Sequence, residues 1–198
     1  MLSIERLGGA AIEPSLEALA QLRIAVFREY PYLYEGSLAY EGDYLRAFAA
    51  APRSTLVVAR DGARVVGAAT ATPLLEHGEA DVCTPAMRAL GIDPSHVYYF
   101  GESVLLPAYR GRGVGHAFFD HREASAKQHG FAWCAFCAVD RPADHPARPA
   151  DYVPHDGFWT RRGYTRRPQA VAHFQWRDLG DAHDTTKPMV FWTKETEA

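Results

Sequence analysis

The stretch Leu105-Leu106-Pro107-Ala108-Tyr109-Arg110-Gly111-Arg112-Gly113-Val114-Gly115 joins two regular patterns in the sequence. An apolar run, 97–106, predicts a buried strand, and apolar residues at helical spacing continue from the stretch as far as Gly130. A strand therefore enters a helix through a loop that carries three glycines and two arginines. Glycines let backbone N–H groups point inward, and the start of a helix carries partial positive charge. The loop is predicted to bind phosphate.

Two common phosphate-binding patterns do not fit this loop. A P-loop requires Gly-Lys-Ser/Thr, but Gly115 is followed by His116. The dinucleotide pattern Gly-x-Gly-x-x-Gly, begun at Gly111, ends on the same histidine. A nucleotide-binding module is therefore disfavoured. The remaining alternative is a glycine-rich turn without a ligand, in which the arginines are ordinary solvated charges.

The pattern that fits is Arg/Gln-x-x-Gly-x-Gly/Ala, present as Arg110-x-x-Gly113-x-Gly115. It resembles the acyl-CoA motif of the Gcn5-related N-acetyltransferase (GNAT) superfamily. The resemblance implies an α/β (α+β) fold, a mixed, mostly antiparallel sheet of about seven strands flanked by helices. It also implies that acetyl-CoA is the co-substrate. The strand backbone and the loop would hold it through Ser103, Val104, Leu105, Arg110, Gly111, Arg112, Gly113, Val114, Gly115 and His116.

Composition limits the class of protein. The 198 residues are 47% hydrophobic and 23% charged, and 1–198 is predicted to be a single N-acetyltransferase domain. A net charge of −3 argues against nucleic acid as a partner, and no apolar run reaches membrane-spanning length. An odd number of cysteines and the lack of a signal peptide predict a cytoplasmic protein. A monomer or homodimer is expected.

No metal site is predicted. Cys134 and Cys137 fall three apart on the predicted strand 131–139, so their side chains face opposite ways, and no second cysteine pair completes a zinc site. Both are expected to pack in the core. The histidines and aspartates of 140–155 match no ligand spacing.

The other elements are predicted from periodicity and turn residues. A helix from Pro14 to Pro31, a second helix ending at Ala50 and a hairpin at Asp61-Gly62 follow a short first strand. Thr84-Pro85 predicts the start of a helix over 85–90. The strand 97–106 and the strand 131–139 should be parallel neighbours joined by a right-handed crossover. Two strands near 169–176 and 189–193 then precede a solvated tail, 194–198.

An acceptor pocket is predicted where aromatic residues cluster. Tyr30, Tyr32 and Tyr34 occupy a segment that, in the superfamily, forms one wall of the acceptor site. The alternative is that these tyrosines pack the helices against the sheet. The proline-rich loop 140–155 is interpreted as a lid on the acceptor side.

Two residues are candidates for proton transfer. Glu102 is a charged residue within an apolar strand and is predicted to be the general base, the alternative being a salt bridge or a solvated position at the strand edge. Residues 158–164 resemble the superfamily's Phe-Tyr-x-x-x-Gly-Phe element, but Trp159 replaces the tyrosine that usually protonates the leaving thiolate. Tyr152 could take that role, or no acid is needed.

These patterns predict an acyl-CoA-dependent N-acyltransferase that transfers acetyl to a primary amine, in a small molecule or a peptide. Direct attack in a ternary complex is expected because no cysteine or serine stands out as a nucleophile. The alternative is a CoA-binding sensor or regulatory domain without turnover.

Overall fold

The computed structural model describes residues 1–196. Its strands over that range are β1 (Leu2–Gly8), β2 (Thr55–Asp61), β3 (Arg64–Pro73), β4 (Val97–Leu105), β5 (Trp133–Val139), β6 (Thr165–Trp176) and β7 (Thr185–Glu195). Its α-helices are α1 (Leu16–Phe27), α2 (Leu38–Ala50), α3 (Ala80–Ala89), α4 (Val114–Gln128) and α5 (Asp156–Arg161).

All seven strands form one sheet in the order β1-β2-β3-β4-β5-β7-β6. Strands β4 and β5 are parallel, and every other neighbouring pair is antiparallel. Helix α4 connects the parallel pair, as the crossover prediction required. The predicted mixed, mostly antiparallel sheet flanked by helices is confirmed.

The two parallel strands separate after a short ladder. Their pairing runs from Val97–Trp133 to Tyr99–Ala135, and β4 then continues to Leu105 with β3 on its other edge. Within residues 1–196, the edge of β4 that faces β5 has no strand partner beyond Tyr99. A cleft therefore opens in the middle of the sheet, at the end of β4 that leads into the glycine loop.

A β-bulge in β4 lies beside this cleft. Ala69 pairs with Ser103 and Ala71 with Phe100, so one residue of β3 opposes two of β4, Gly101 and Glu102. The extra residue reverses the alternation of side chains along the strand. Phe100 packs with the aromatic cluster under α4, whereas Glu102 turns to the opposite face.

Arg122 of α4 stabilises the bulge from the α4 side of the sheet. This residue is 1% exposed, and its guanidinium donates to the carbonyl oxygens of Thr70 and Glu102, each at 3.2 Å, and to Ser103 Oγ at 2.8 Å. Its charged plane also lies over the Phe100 ring, 4.3 Å from the centroid. Burial lowers the pKa of Arg122 to about 10. The charged side chain is thus stabilised by neutral acceptors that also fix the backbone at Glu102.

Three elements differ from the predicted boundaries. Strands β6 and β7 begin at Thr165 and Thr185, each four residues earlier than predicted. Helix α3 begins at Ala80 rather than at Pro85, which lies within the helix. Pro85 is tolerated there because it lies on the exposed side, where water can solvate the carbonyl that loses its bond, while Cys83 and Met87 are buried in the core. Strand β7 continues through Glu195, into the predicted tail, and Glu197 and Ala198 lie outside the described residues.

Candidate active site

The glycine loop has the geometry of an anion site. Gly111 and Gly113 have φ angles of 74° and 81°, a backbone conformation that favours glycine, and the space around their missing Cβ atoms is open. Gly113 is the N-cap of α4, and the first intrahelical bond runs from Ala117 N–H to Gly113 O at 3.2 Å. The N–H groups of Val114, Gly115 and His116 precede that bond and are available to a ligand.

The charges around the loop are positive or paired. Arg110 is bound to Glu29 at 2.8 Å, and Arg112 lies near the Tyr109 ring. The first turn of α4 holds no acidic residue. These features fit a pyrophosphate, because the helix start and the nearby guanidinium groups favour negative charge.

The predicted cofactor-binding backbone lies along the cleft. Ser103, Val104 and Leu105 pair with β3 on one edge, which leaves their other edge toward β5. The structure therefore brings the three strand residues and the seven loop residues, 110–116, to the same cleft. Acetyl-CoA, an extended molecule with a pyrophosphate, fits a strand edge that ends at an anion site.

A cavity of about 470 Å³ lies on the face to which the bulge directs Glu102. Much of its wall is aromatic, from Phe27, Tyr32, Tyr34, Tyr44, Tyr99 and Trp176. Two of the three predicted acceptor tyrosines therefore line it, and Tyr30 does not. A volume of this size suits a small ligand or the end of a peptide.

Glu102 forms part of the cavity wall and is 5% exposed. Its Oε2 accepts from Arg23 Nη1 at 2.6 Å and from the Tyr44 hydroxyl at 3.3 Å. Its Oε1 has no hydrogen-bond partner among residues 1–196. The salt bridge that was the alternative to a catalytic role is therefore present; it uses Oε2 and leaves the buried Oε1 without a partner among residues 1–196.

Arg23 carries the charge of this cluster. Its Nε donates to Glu41, which is fully buried, and its guanidinium lies over the Tyr44 ring, 4.3 Å from the centroid. One guanidinium therefore faces two buried carboxylates, those of Glu41 and Glu102. Arg122, on the other side of the sheet, adds a second buried positive charge that interacts with Glu102.

His77 completes the arrangement as a neutral side chain. Its Nδ1 accepts the Glu79 backbone N–H at 3.0 Å, so its proton lies on Nε2, which can donate to the Tyr44 oxygen at 3.2 Å. Burial, and then the Arg23 charge, lower the pKa of His77 to about 4. Burial, and then Glu102, raise the pKa of Tyr44 well above its usual value. His77 donates a hydrogen bond to Tyr44, and Tyr44 donates one to Glu102. These two hydrogen bonds hold the carboxylate of Glu102 in place and do not remove a proton from it.

The buried histidine predicts a loss of stability in acid. The pKa of His77 is about 4 when folded against 6.5 in its ordinary state, so folding favours the neutral ring. This stabilisation is present above about pH 6.5 and is lost as the pH falls toward about 4. At about pH 5 the two values predict a loss of about 2 kcal/mol in the free energy of unfolding. Urea unfolding of wild type and His77→Gln at about pH 7.5 and about pH 5 should show the smaller loss in the variant. Equal losses of unfolding free energy in wild type and variant would contradict the assignment of this effect to His77.

Tyr152 and Tyr30 contact each other away from the cavity. Their rings meet edge to face with centroids 4.7 Å apart, and neither residue is part of the cavity wall. The loop 140–155 is anchored by Arg141, which forms a bidentate pair with Asp178 at 2.7 and 2.8 Å and donates to the carbonyl of Tyr32. The loop thus positions the segment that supplies Tyr32, and its own residues do not line the cavity.

Trp159 lies in the aromatic cluster on the α4 side of the sheet. Its ring is 5.1 Å from both Phe136 and Trp192, measured between centroids. Tyr164, at the end of the same element, donates to Glu123 at 3.1 Å. The segment 158–164 therefore packs against β5 on the α4 side of the sheet.

Sequence reasoning missed three residues of the cavity cluster: Arg23, Glu41 and His77. A signal was present for the first two. Arg23 lies four residues after Leu19, and Glu41 four before Leu45, so each charge occupies a position at helical spacing from a buried leucine. Such a charge is rarely buried without a partner. His77 offered no comparable signal, because the segment between β3 and α3 has no periodic pattern.

A model of the Acetyltransferase (GNAT) family matches residues 18–150, more than half of the chain. The chain belongs to the GNAT acetyltransferase family. The matched range includes α1, β4, the glycine loop and α4, and it confirms the resemblance carried by Arg110, Gly113 and Gly115. No curated protein sequence matches the chain significantly.

Solved structures share the GNAT fold. A ribosomal-protein-alanine N-acetyltransferase from Brucella melitensis aligns with a TM-score of 0.62, at 13% identity, over 98% of this chain and 99% of its own. A GCN5-related N-acetyltransferase from Kribbella flavida gives 0.57 at 18% identity, with 98% and 97% covered. A Salmonella typhimurium structure with its cofactor acetyl-CoA gives 0.58 at 11% identity, with 100% and 95% covered. At these low sequence identities, the structural similarity shows that the fold is shared and nothing further.

Among the described residues, no group of three or more His, Cys, Asp or Glu side chains is placed to hold a metal ion. No helix between residues 1 and 196 has the length and apolar character needed to cross a bilayer.

Proposed function

We propose that the protein transfers an acetyl group from acetyl-CoA to a primary amine, by direct attack in a ternary complex. The observation that carries this proposal is the position of Glu102. Glu102 lines a cavity next to the cleft where β4 leaves β5, its buried Oε1 has no hydrogen-bond partner among the described residues, and the cleft ends at the start of α4. Donor and acceptor sites are thus adjacent on one strand, which is what direct transfer requires.

The residues divide into two sets of roles. The loop N–H groups of 114–116 and the guanidinium of Arg112 would hold the pyrophosphate, and the free edge of Ser103 and Leu105 would orient the extended arm. Acetyl-CoA supplies an activated thioester. On the other side, Oε1 of Glu102 accepts an N–H of the bound ammonium and then its proton, so that the amine reacts as a free base.

The cysteines support direct attack. Cys83, Cys134 and Cys137 are all buried, and burial raises the pKa of the Cys134 thiol to about 11. A buried, protonated thiol is a poor nucleophile. An acetylated cysteine intermediate is therefore disfavoured.

Tyr152 remains our candidate for protonating the leaving thiolate. Its partner Tyr30 follows Glu29, which binds Arg110 of the glycine loop, so we expect the tyrosine pair to lie on the cofactor side of the cleft. Burial raises the pKa of Tyr152, which keeps its hydroxyl protonated near neutral pH. We expect Tyr152→Phe to lower kcat by less than about tenfold, since a CoA thiolate can leave without an acid.

Turnover of acetyl-CoA with a panel of primary amines tests the proposal. Release of free CoA that depends on the amine, with the acetylated amine identified by mass spectrometry, is the expected result. Binding of acetyl-CoA without amine-dependent release would favour the CoA-binding sensor instead. The initial-rate pattern should be sequential, and a ping-pong pattern would contradict direct attack.

A further inference from the structure

The more exposed part of the cavity wall, here called its mouth, carries acidic side chains without ion-pair partners among the described residues. Glu79 and Asp184 both line the cavity, and no ion pair in the described part of the chain joins either to a cationic side chain. The other carboxylate of the wall, Glu35, is already neutralised by Arg177 at 3.3 Å. The two acidic residues are therefore free to bind a cation.

Tyr40 belongs to the same cavity wall as these two carboxylates. It lines the cavity, is 52% exposed, and has its pKa raised first by burial and then by the charge of Glu79, with a smaller effect from Asp184. Its ring therefore lies within the electric field of both acidic groups. An aromatic ring and two carboxylates in one cavity wall favour an ammonium group.

The floor of the cavity gives an independent sign of a cationic ligand. Oε1 of Glu102 is buried without a partner in the described part of the chain, and Glu102 lines the same cavity as Glu79 and Asp184. A buried carboxylate oxygen without a donor is costly unless a ligand supplies one. The floor and the mouth would thus bind two separate positive charges.

We propose that the acceptor carries two cationic nitrogens, one at Glu102 for acetylation and the other held at the mouth by Glu79, Asp184 and Tyr40. This inference rests on the proposed function and names its substrate class. The C–N bond of the amide forms at the inner nitrogen as the thioester C–S bond breaks. That ammonium gives up two protons, one of which ends on the CoA thiol and the other in solvent. The outer nitrogen stays charged throughout.

A comparison of diamines with amino alcohols tests the proposal. Linear alkane diamines of increasing length are compared with the amino alcohols in which a hydroxyl replaces the second amine. We expect kcat/KM to favour the best diamine by about tenfold, with a preference that weakens as salt is added. Equal use of both series would overturn the inference while leaving the proposed function intact.

Variants of Glu79 and Asp184 test whether the mouth of the cavity causes the preference for diamines. The double variant Glu79→Gln/Asp184→Asn should bring the ratio of diamine to amino alcohol close to one. Asp181→Asn is the matched control, an exposed aspartate of the same loop outside the cavity wall, and should keep the wild-type ratio. A preference that persists in the double variant would contradict the assignment.

A binding measurement separates this inference from the proposed function. A linear bis-quaternary ammonium ion cannot be acetylated and can be followed by calorimetry. If no amine is turned over, binding to wild type that is lost in the double variant still supports two cation sites. Absence of binding to wild type would overturn the proposal of two cation sites.

Discussion

Replacing Glu102 with glutamine is expected to lower kcat by about 10²–10⁴-fold while acetyl-CoA binding stays near that of wild type. Glutamine keeps the size of the side chain, but its amide cannot take a proton from the ammonium. A primary amine with a pKa near 10 is only about 0.1% neutral at pH 7, so the reaction without this carboxylate depends on a rare species. Arg23 retains Glu41 as a charged partner in the variant, which limits the structural damage.

The pH–rate profile measures this role directly. Activity of Glu102→Gln should recover partly at high pH, where the amine is already neutral. Glu5→Gln is a suitable control, because Glu5 is also a strand carboxylate paired with an arginine, Arg60 at 2.7 Å, but lies on β1 far along the sheet. An unchanged profile in the Glu102→Gln variant would remove Glu102 from proton transfer.

Gly113→Glu should weaken acetyl-CoA binding by about a hundredfold or more. The substitution adds a negative charge at the N-cap of α4, where the pyrophosphate would otherwise be attracted by the N–H groups and the helix charge. The new side chain points into space that is open in the structure, so the fold should be retained. Calorimetric titration with CoA gives the affinity, and circular dichroism checks the fold.

The same helix provides a matched control for backbone strain. Gly130, just after the C-terminal end of α4, also has a positive φ of 74° and open space around its missing Cβ. Gly130→Glu therefore introduces the same charge and a similar backbone cost, about 1–2 kcal/mol, at the opposite end. CoA affinity should survive in that variant. Equal losses in both would mean that strain, and not the anion site, explains the effect.

Local sequence was sufficient to predict the elements that surround the cleft between β4 and β5. The strand β4, the glycine loop and α4 are adjacent in the chain, so apolar periodicity and glycine positions fix them without knowledge of the rest. Helix α3 was the exception, because proline was interpreted as a start signal and the burial of Cys83 and Met87 decided otherwise.

The acceptor aromatics were only partly predictable. Tyr32 and Tyr34 line the cavity and Tyr30 does not, although all three belong to one short segment. The chain leaves α1 and turns at this point, and Leu33 takes a positive φ of 55°. Alternation along such a segment follows no simple period, so the direction of each ring depends on contacts such as Arg141 with the Tyr32 carbonyl.

By itself the sequence determined the glycine loop, the family and the presence of a carboxylate in β4. Tertiary structure decided what that carboxylate can do. The bulge opposite Thr70, held by Arg122, turns Glu102 toward α1 and α2, where Arg23 and Tyr44 bind only one of its oxygens. These residues come from segments far apart in the chain. Their contacts arise from the packing of helices on the sheet, which periodicity cannot specify.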